Sequence, residues 1–305
     1  MNMTMEELVK LSGLSQTEIG AKLSWSKAQA SRVASGTYPN YEEKIREAYR
    51  YLSENGYLPE AVAYKPELAE EPIVIDKDSI VQTENYIATF KLCNDLLSPD
   101  SLLSASIGMV LGKAGFGKTT TVKRFAVEND NVAYLLYRGD SKSALFRRIA
   151  EELIGRYAYT YDANVRLIEE ATFACRKLII IDEADRIPLR LLEDLRTLNE
   201  DGAVPLLLVG EPMLSSLAKK ADRIESRIRR PVITFKPLDA VILSAYYKKA
   251  AGLTLDPEIA KRLVNTCGRD FRVAANELQH IVSIMNANGL QEVTMEVVNE
   301  SQRRG

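Results

Sequence analysis

Eight consecutive residues, Gly112-Lys113-Ala114-Gly115-Phe116-Gly117-Lys118-Thr119, follow the pattern G-x-x-x-x-G-K-[ST]. Glycines at this spacing let backbone N–H groups close round the oxygens of a polyphosphate, and a helix starting at the loop's end adds its dipole. Lys118 carries the cation that would reach the β- and γ-phosphates, Thr119 the hydroxyl that would hold Mg²⁺, and Thr120 continues the wall of the same site. A second pattern, Lys177-Leu178-Ile179-Ile180-Ile181-Asp182-Glu183-Ala184-Asp185, runs apolar residues into carboxylates. Asp182 is the expected Mg²⁺ partner, and Glu183 the residue that orients or deprotonates an attacking water. Read alone, Asp-Glu-Ala-Asp would also suit the acidic start of a solvated helix. With the phosphate loop upstream, binding and hydrolysis of a nucleoside triphosphate is the better reading.

These side chains need a scaffold that brings them to one edge. Ile107–Leu111 reads as a buried strand feeding the loop, and Thr120–Glu128 as the helix that follows. The apolar run before Asp182 suits a strand covered on both faces, which places its acids at the carboxyl edge where open α/β sheets bind ligands. Val132–Tyr137, Val204–Glu211 and the short Val232–Phe235 supply further strands, with a helix over Leu189–Leu198. Thr254–Val264 and Asp270–Met285 read as helices of a small C-terminal bundle. The predicted class is α/β, a parallel sheet with helices on both faces and a helical lid.

The front of the chain has a different character. Leu14 to Gly36 shows two short helices joined by a tight turn, with Ser15 and Ser26 suited to cap them and Ile19 and Leu23 facing inward. This segment resembles the helix-turn-helix of phage repressors. The second helix would present Lys27, Gln29, Ser31 and Arg32 to a major groove and its phosphates. Ser24 stands where that family usually has glycine and Trp25 where it has a small apolar residue, so a bulkier turn is expected. Such units also serve in protein docking, which stays open here. The tyrosines that follow, Tyr38, Tyr41, Tyr49, Tyr51 and Tyr57, read as packing residues rather than a base-stacking platform.

The expected boundaries are a DNA-binding domain at 1–58, a linker at 59–78, a nucleotide-binding core at 79–238 and the lid at 239–305. The linker is acidic and proline-punctuated, with Glu67, Glu70, Glu71, Asp76 and Asp78 among Pro59, Pro66 and Pro72. The net charge of -2 supplies no global attraction to nucleic acid, so DNA contact must come from local patches or many copies. Three cysteines, Cys93, Cys175 and Cys267, and one histidine, His280, argue against a disulfide framework and a zinc site. No apolar run is long enough for a membrane span and the first residues do not read as a signal peptide, so the expected location is the cytoplasm.

The order of motifs resembles the AAA+ ATPases. That resemblance implies ATP with Mg²⁺ as the ligands, and an arginine that reaches from one subunit into a neighbour's site. Arg227 in Ser226-Arg227-Ile228 matches that position, with Arg230 as the fallback, while Arg272 matches the lid arginine that contacts nucleotide in the same subunit. The basic cluster around Arg227 would equally suit a solvated face touching DNA phosphate. Glu211 stands at the strand end where the family carries a hydrogen-bond donor toward the γ-phosphate, and an ionised carboxylate cannot donate. A small front domain, an acidic linker and one short ATPase module are together similar to the target-capture ATPases of the phage Mu B family. That implies an ATP-bound helical oligomer on double-stranded DNA that recruits and stimulates a transposase and releases DNA after hydrolysis. Arg138, Lys142, Arg147 and Arg148 are then candidates for the phosphate backbone. A helicase loader and an ATP-gated transcription regulator remain alternatives.

Overall fold

The computed structural model describes residues 4–59, 72–98, 107–220 and 222–304. They fall into two compact units, Met1–Glu71 and Pro72–Gly305.

The front unit is all-helical, built from α1 (Met5–Ser12), α2 (Gln16–Lys22), α3 (Lys27–Ala34) and α4 (Tyr41–Glu54). Thr4 and Ser15 cap α1 and α2 in reciprocal boxes with Glu7 and Glu18, and Ser26 accepts the Gln29 N–H at the start of α3. In the turn between α2 and α3, Ser24 adopts the left-handed region at a φ of 58°. That is the conformation glycine would take without cost. Trp25 turns inward and joins Leu8, Ile19, Val33, Ile45 and Leu52 in the core. A Cβ on Gly20 would lie 2.7 Å from the Ala30 Cβ, so α2 and α3 pack at a distance only glycine permits. The five tyrosines pack on the margin of this core.

The second unit opens with α5 (Glu84–Leu97), then β1 (Ile107–Leu111), α6 (Lys118–Val127), β2 (Val132–Leu136), α7 (Lys142–Ile154), α8 (Tyr161–Ala174) and β3 (Leu178–Asp182). It continues with α9 (Leu189–Asp201), β4 (Leu206–Gly210), α10 (Met213–Lys219), α11 (Asp222–Glu225) and β5 (Ile233–Thr234), and closes with lid helices α12 (Ala240–Ala251), α13 (Pro257–Thr266), α14 (Phe271–Asn288) and α15 (Met295–Arg304). All strand pairs are parallel, in the order β2-β3-β4-β1-β5. Strand residues alternate between two cores. Ile179 and Ile181 face Leu145, Phe146, Ile149 and Leu195, whereas Leu178 and Ile180 face Leu92, Leu96, Val122 and Phe125. This two-sided burial is why the strands read as unbroken apolar runs. The register pairs Leu111 with Gly210 and Leu136 with Asp182, so the phosphate loop, Asp182 and Glu211 emerge at the same sheet edge.

Some helix starts differ from the sequence expectation. α6 begins at Lys118 rather than Thr120, because Gly117, at a φ of 90°, is its N-cap. The helix expected from Thr254 starts at Pro257, behind an Asp256 cap that accepts the Glu258 N–H. Of the expected linker, residues 60–71 lie outside the described residues. From Pro72 the chain docks on the lid: Ile73 and Ile75 join its core, Asn286 exchanges hydrogen bonds with the Ile73 backbone at 2.9 and 3.0 Å, and the Asp76 N–H donates to the Ala250 carbonyl at 2.8 Å.

Candidate nucleotide site

At the carboxyl edge of the sheet a cavity of about 370 Å³ is bounded by the phosphate loop, the residues after β3 and β4, and the start of α14. Gly115 and Gly117 hold left-handed φ angles of 76° and 90°, which turn the loop's amides toward one centre. Lys118 is almost fully buried, and its Nζ donates to the Gly112 and Lys113 carbonyls at 2.6 and 2.8 Å. Burial pushes its pKa down, against the opposing pull of Asp182, Glu211 and Asp185.

Asp182 is held from three directions. Its Oδ2 accepts the Thr119 hydroxyl at 2.7 Å and the Tyr134 phenol at 2.9 Å, and its Oδ1 accepts the Glu183 N–H at 2.9 Å. Burial and the negative charge of Asp182 raise the Tyr134 pKa, so the phenol stays a proton donor. Glu183 sits in the left-handed region at a φ of 55°, a costly conformation for a side-chain-bearing residue that aims it out of the strand line. Its carboxylate, half-exposed in the cavity wall, pairs with Arg186 at 2.5 Å.

Asp185 joins β3 to β4, since its Oδ1 accepts the Glu211 N–H at 2.9 Å. A Cβ on Gly210 would lie 2.4 Å from that oxygen, so the contact requires glycine there. The Glu211 side chain remains at the cavity wall. The donor normally expected at that strand end is thus replaced by an acceptor whose backbone is fixed by Asp185.

The lid closes the other side. The Phe271 N–H donates to the Gly115 carbonyl at 3.0 Å, and Asp270 caps α14 by accepting the Arg272 N–H at 2.7 Å. Arg272 and Phe271 thereby line both the phosphate cavity and an adjoining hollow of about 250 Å³. Ile80, Val81, Phe235 and Tyr246 give this hollow a mainly apolar wall, suited to a base and its sugar.

The donor set fits Mg²⁺. Thr119 and Asp182 already share a hydrogen bond, both offer hard oxygen, and Mg²⁺ ordinarily takes one or two protein oxygens with the substrate's phosphates. Among the described residues there is no group of three His, Cys, Asp or Glu that would hold a metal by itself.

Other expected site residues lie elsewhere. Arg227 pairs with Glu200 of its own chain, in a network continued by Arg196, and neither it nor Arg230 lines the cavity. Lys142 pairs with Asp194 at 2.7 Å and lies over the Tyr161 ring, while Arg148 binds Asp140 at 2.6 Å and the Leu136 carbonyl at 3.2 Å. These two cations, expected toward DNA, have internal partners. Arg138 and Arg147 remain exposed. On α3, Lys27, Ser31 and Arg32 are exposed, and the Gln29 amide donates to the Tyr38 hydroxyl at 3.2 Å. The sequence reading missed Tyr134, Asp185 and Phe271 as site residues. Asp185 stood in the quoted motif without a role, and Phe271 beside Arg272. Nothing local marks Tyr134, which reaches Asp182 only through strand pairing.

An AAA domain family model matches residues 102–217, the span carrying the phosphate loop, Asp182 and β4. The Cdc6p structure from Pyrobaculum aerophilum superposes with a TM-score of 0.56 at 17% identity, covering 76% of this chain and 72% of that one. Fold and site together are those expected of an AAA+ P-loop ATPase, which the chain resembles. Within that class the chain resembles the Mu B proteins. It is 29% identical over 175 residues to the Mu-like prophage FluMu DNA transposition protein B of Haemophilus influenzae, covering 56% of each chain. It is also 29% identical over 117 residues to the ATP-dependent target DNA activator B of Escherichia phage Mu, covering 35% of this chain and 36% of that one. The chain thus spans about half the length of the first relative and about a third of the second.

Proposed function

We propose that this chain is an ATP-dependent DNA-binding ATPase that assembles on double-stranded DNA in the cytoplasm of a bacterial host, recruits and stimulates a transposase, and releases DNA on ATP hydrolysis. The observation that carries the reading is the oriented pair of Thr119 and Asp182 beside the phosphate loop, in a chain similar to a DNA transposition protein and a target DNA activator. Lys118 and the loop amides would bind the β- and γ-phosphates, and Glu183 would orient the attacking water. Arg272 would bind nucleotide from the lid. Thr119 and Asp182 would hold Mg²⁺, which when bound neutralises charge on the phosphates.

Arg227 supports assembly as the trigger. It lies outside its own chain's cavity, so a role at the phosphates requires a neighbouring copy, and assembly in turn multiplies weak DNA contacts. In this reading the front unit adds contacts through Lys27, Gln29, Ser31 and Arg32, within domain limits near 1–58, 59–78, 79–238 and 239–305.

Co-sedimentation with random-sequence duplex DNA in ATP, ADP and a non-hydrolysable ATP analogue tests the proposal. Pelleting with ATP or the analogue, absent with ADP and in Lys118→Ala, is the expected result. Protein that stays in the supernatant in every nucleotide state would sink it.

A further inference from the structure

A cleft of about 420 Å³ separates the start of α7 from the segment 155–160 that leads into α8, and it shares no residue with the nucleotide cavity. Tyr159 is fully exposed on its rim, and Tyr157 is 45% exposed beneath the Arg147 guanidinium, which lies 4.6 Å from the ring centroid. Exposed rings on a slack loop would have little meaning, but this backbone is clamped. Asn164, 1% exposed, accepts the Ala158 N–H at 2.7 Å and donates to the carbonyls of Ala158 and Thr160 at 3.0 and 2.9 Å. A buried amide is thus committed to holding the strip that presents the tyrosines. Across the cleft, Arg148 fixes the loop after β2 through Asp140 and the Leu136 carbonyl.

No carboxylate lines the cleft, and Arg147 has no acidic partner among the described residues. Arg138 stands exposed on the adjoining loop. The surface therefore combines cations awaiting an anion, an arginine held flat on a ring, and a second ring with an open face. Phosphates joined to stackable sugars and bases match all three, whereas an acidic peptide would use only the charge.

We infer that this cleft is a DNA-contact site, in which Arg147 and Arg138 bind backbone phosphates and Tyr159 packs against the sugar and base edge between them. The inference rests on the DNA-binding reading above and gives it a place in the fold.

The test is fluorescence anisotropy of a random-sequence labelled duplex with the full chain and a non-hydrolysable ATP analogue, over a range of salt. Tyr159→Ala should bind roughly 10-fold more weakly and Tyr159→Phe nearly as the parent. Arg147→Ala should lower the slope of log affinity against log salt by about 1. Binding of a fluorescent ATP analogue should be unchanged in all three, which reports intact folding. Parent-like DNA affinity and salt slope in Tyr159→Ala and Arg147→Ala would overturn the site while leaving the functional reading standing. A parent chain that binds no duplex in any nucleotide state would remove both. Variants that keep DNA affinity at low protein concentration but lose self-association would make the cleft an interface between copies, and so also overturn it.

Discussion

The backbone N–H of Phe271 donates to the carbonyl of Gly115 at 3.0 Å, so the first turn of the longest lid helix is fastened to the phosphate loop itself. The fastening leaves no room at Gly115, where a Cβ would come within 1.9 Å of Asp270 and the φ is 76°. Gly115→Ala must therefore either strain the loop or push the lid, and Arg272 with it, out of the cavity. We expect nucleotide affinity to fall by roughly 10-fold or more, from a conformational penalty of about 1–2 kcal/mol. Titration with a fluorescent ATP analogue reads this directly, and parent-like affinity would show that the lid moves independently of the loop.

Tyr134 and Thr119 share one oxygen of Asp182, which sets the direction of that carboxylate. Tyr134→Phe removes one donor while preserving the ring's packing. The expected effect is a several-fold higher Mg²⁺ requirement for nucleotide binding, from the loss of about 1 kcal/mol of charge-assisted hydrogen bonding. Unchanged Mg²⁺ dependence of fluorescent-nucleotide binding would count against a positioning role.

If Arg227 acts at a neighbour's phosphates, Arg227→Ala should bind nucleotide normally and lose roughly 10³-fold in kcat. Mixing it with Glu183→Gln, which keeps Arg227 but lacks the water-orienting carboxylate, should restore part of the activity. No recovery in the mixture would argue that Arg227 serves within its own chain. Loss of its exposed pair with Glu200 should shift stability by less than about 1 kcal/mol.

Burial pushes the Cys93 thiol up to about 12 and the Cys267 thiol up to about 11, while Cys175 is exposed. A thiol reagent near neutral pH should therefore modify one cysteine, Cys175, in the folded chain and all three after denaturation. Because the folded pKa values lie above the ordinary value of 9.0, the folded state holds these protons more tightly. Their stabilising contribution is intact below about pH 9 and is lost as pH rises through 11 and 12. Urea midpoints that stay flat across that alkaline window would contradict this.

Trp25 is the single tryptophan of the chain and sits in the front unit's core, so its fluorescence reports that unit alone. Gly20→Ala would force a methyl to within 2.7 Å of Ala30. We expect the Trp25 unfolding transition to move by about 1–3 kcal/mol toward instability, with nucleotide binding unaffected. A parent-like Trp25 midpoint would mean α2 and α3 separate at little cost.

Much of the site was legible because its parts are contiguous. Gly112 to Thr119 must be neighbours in sequence to wrap a polyphosphate, and Asp182 must end an apolar strand to reach the same edge, so spacing alone located them. Ser15 and Ser26 marked the front helices through capping chemistry, which is likewise local. What tertiary structure decided was every relationship that crosses strands or joins core to lid. Tyr134 meets Asp182 through strand pairing, Asp185 meets the Glu211 amide through sheet order, and Phe271 meets Gly115 through the docking of the lid. The same holds for cations. Sequence shows that Lys142, Arg147 and Arg148 are positive, but only packing gives Lys142 to Asp194 and Arg148 to Asp140 and leaves Arg147 facing out over Tyr157. Residue type fixes a side chain's chemistry, whereas its partner depends on which distant segments the hydrophobic cores bring within a few ångströms.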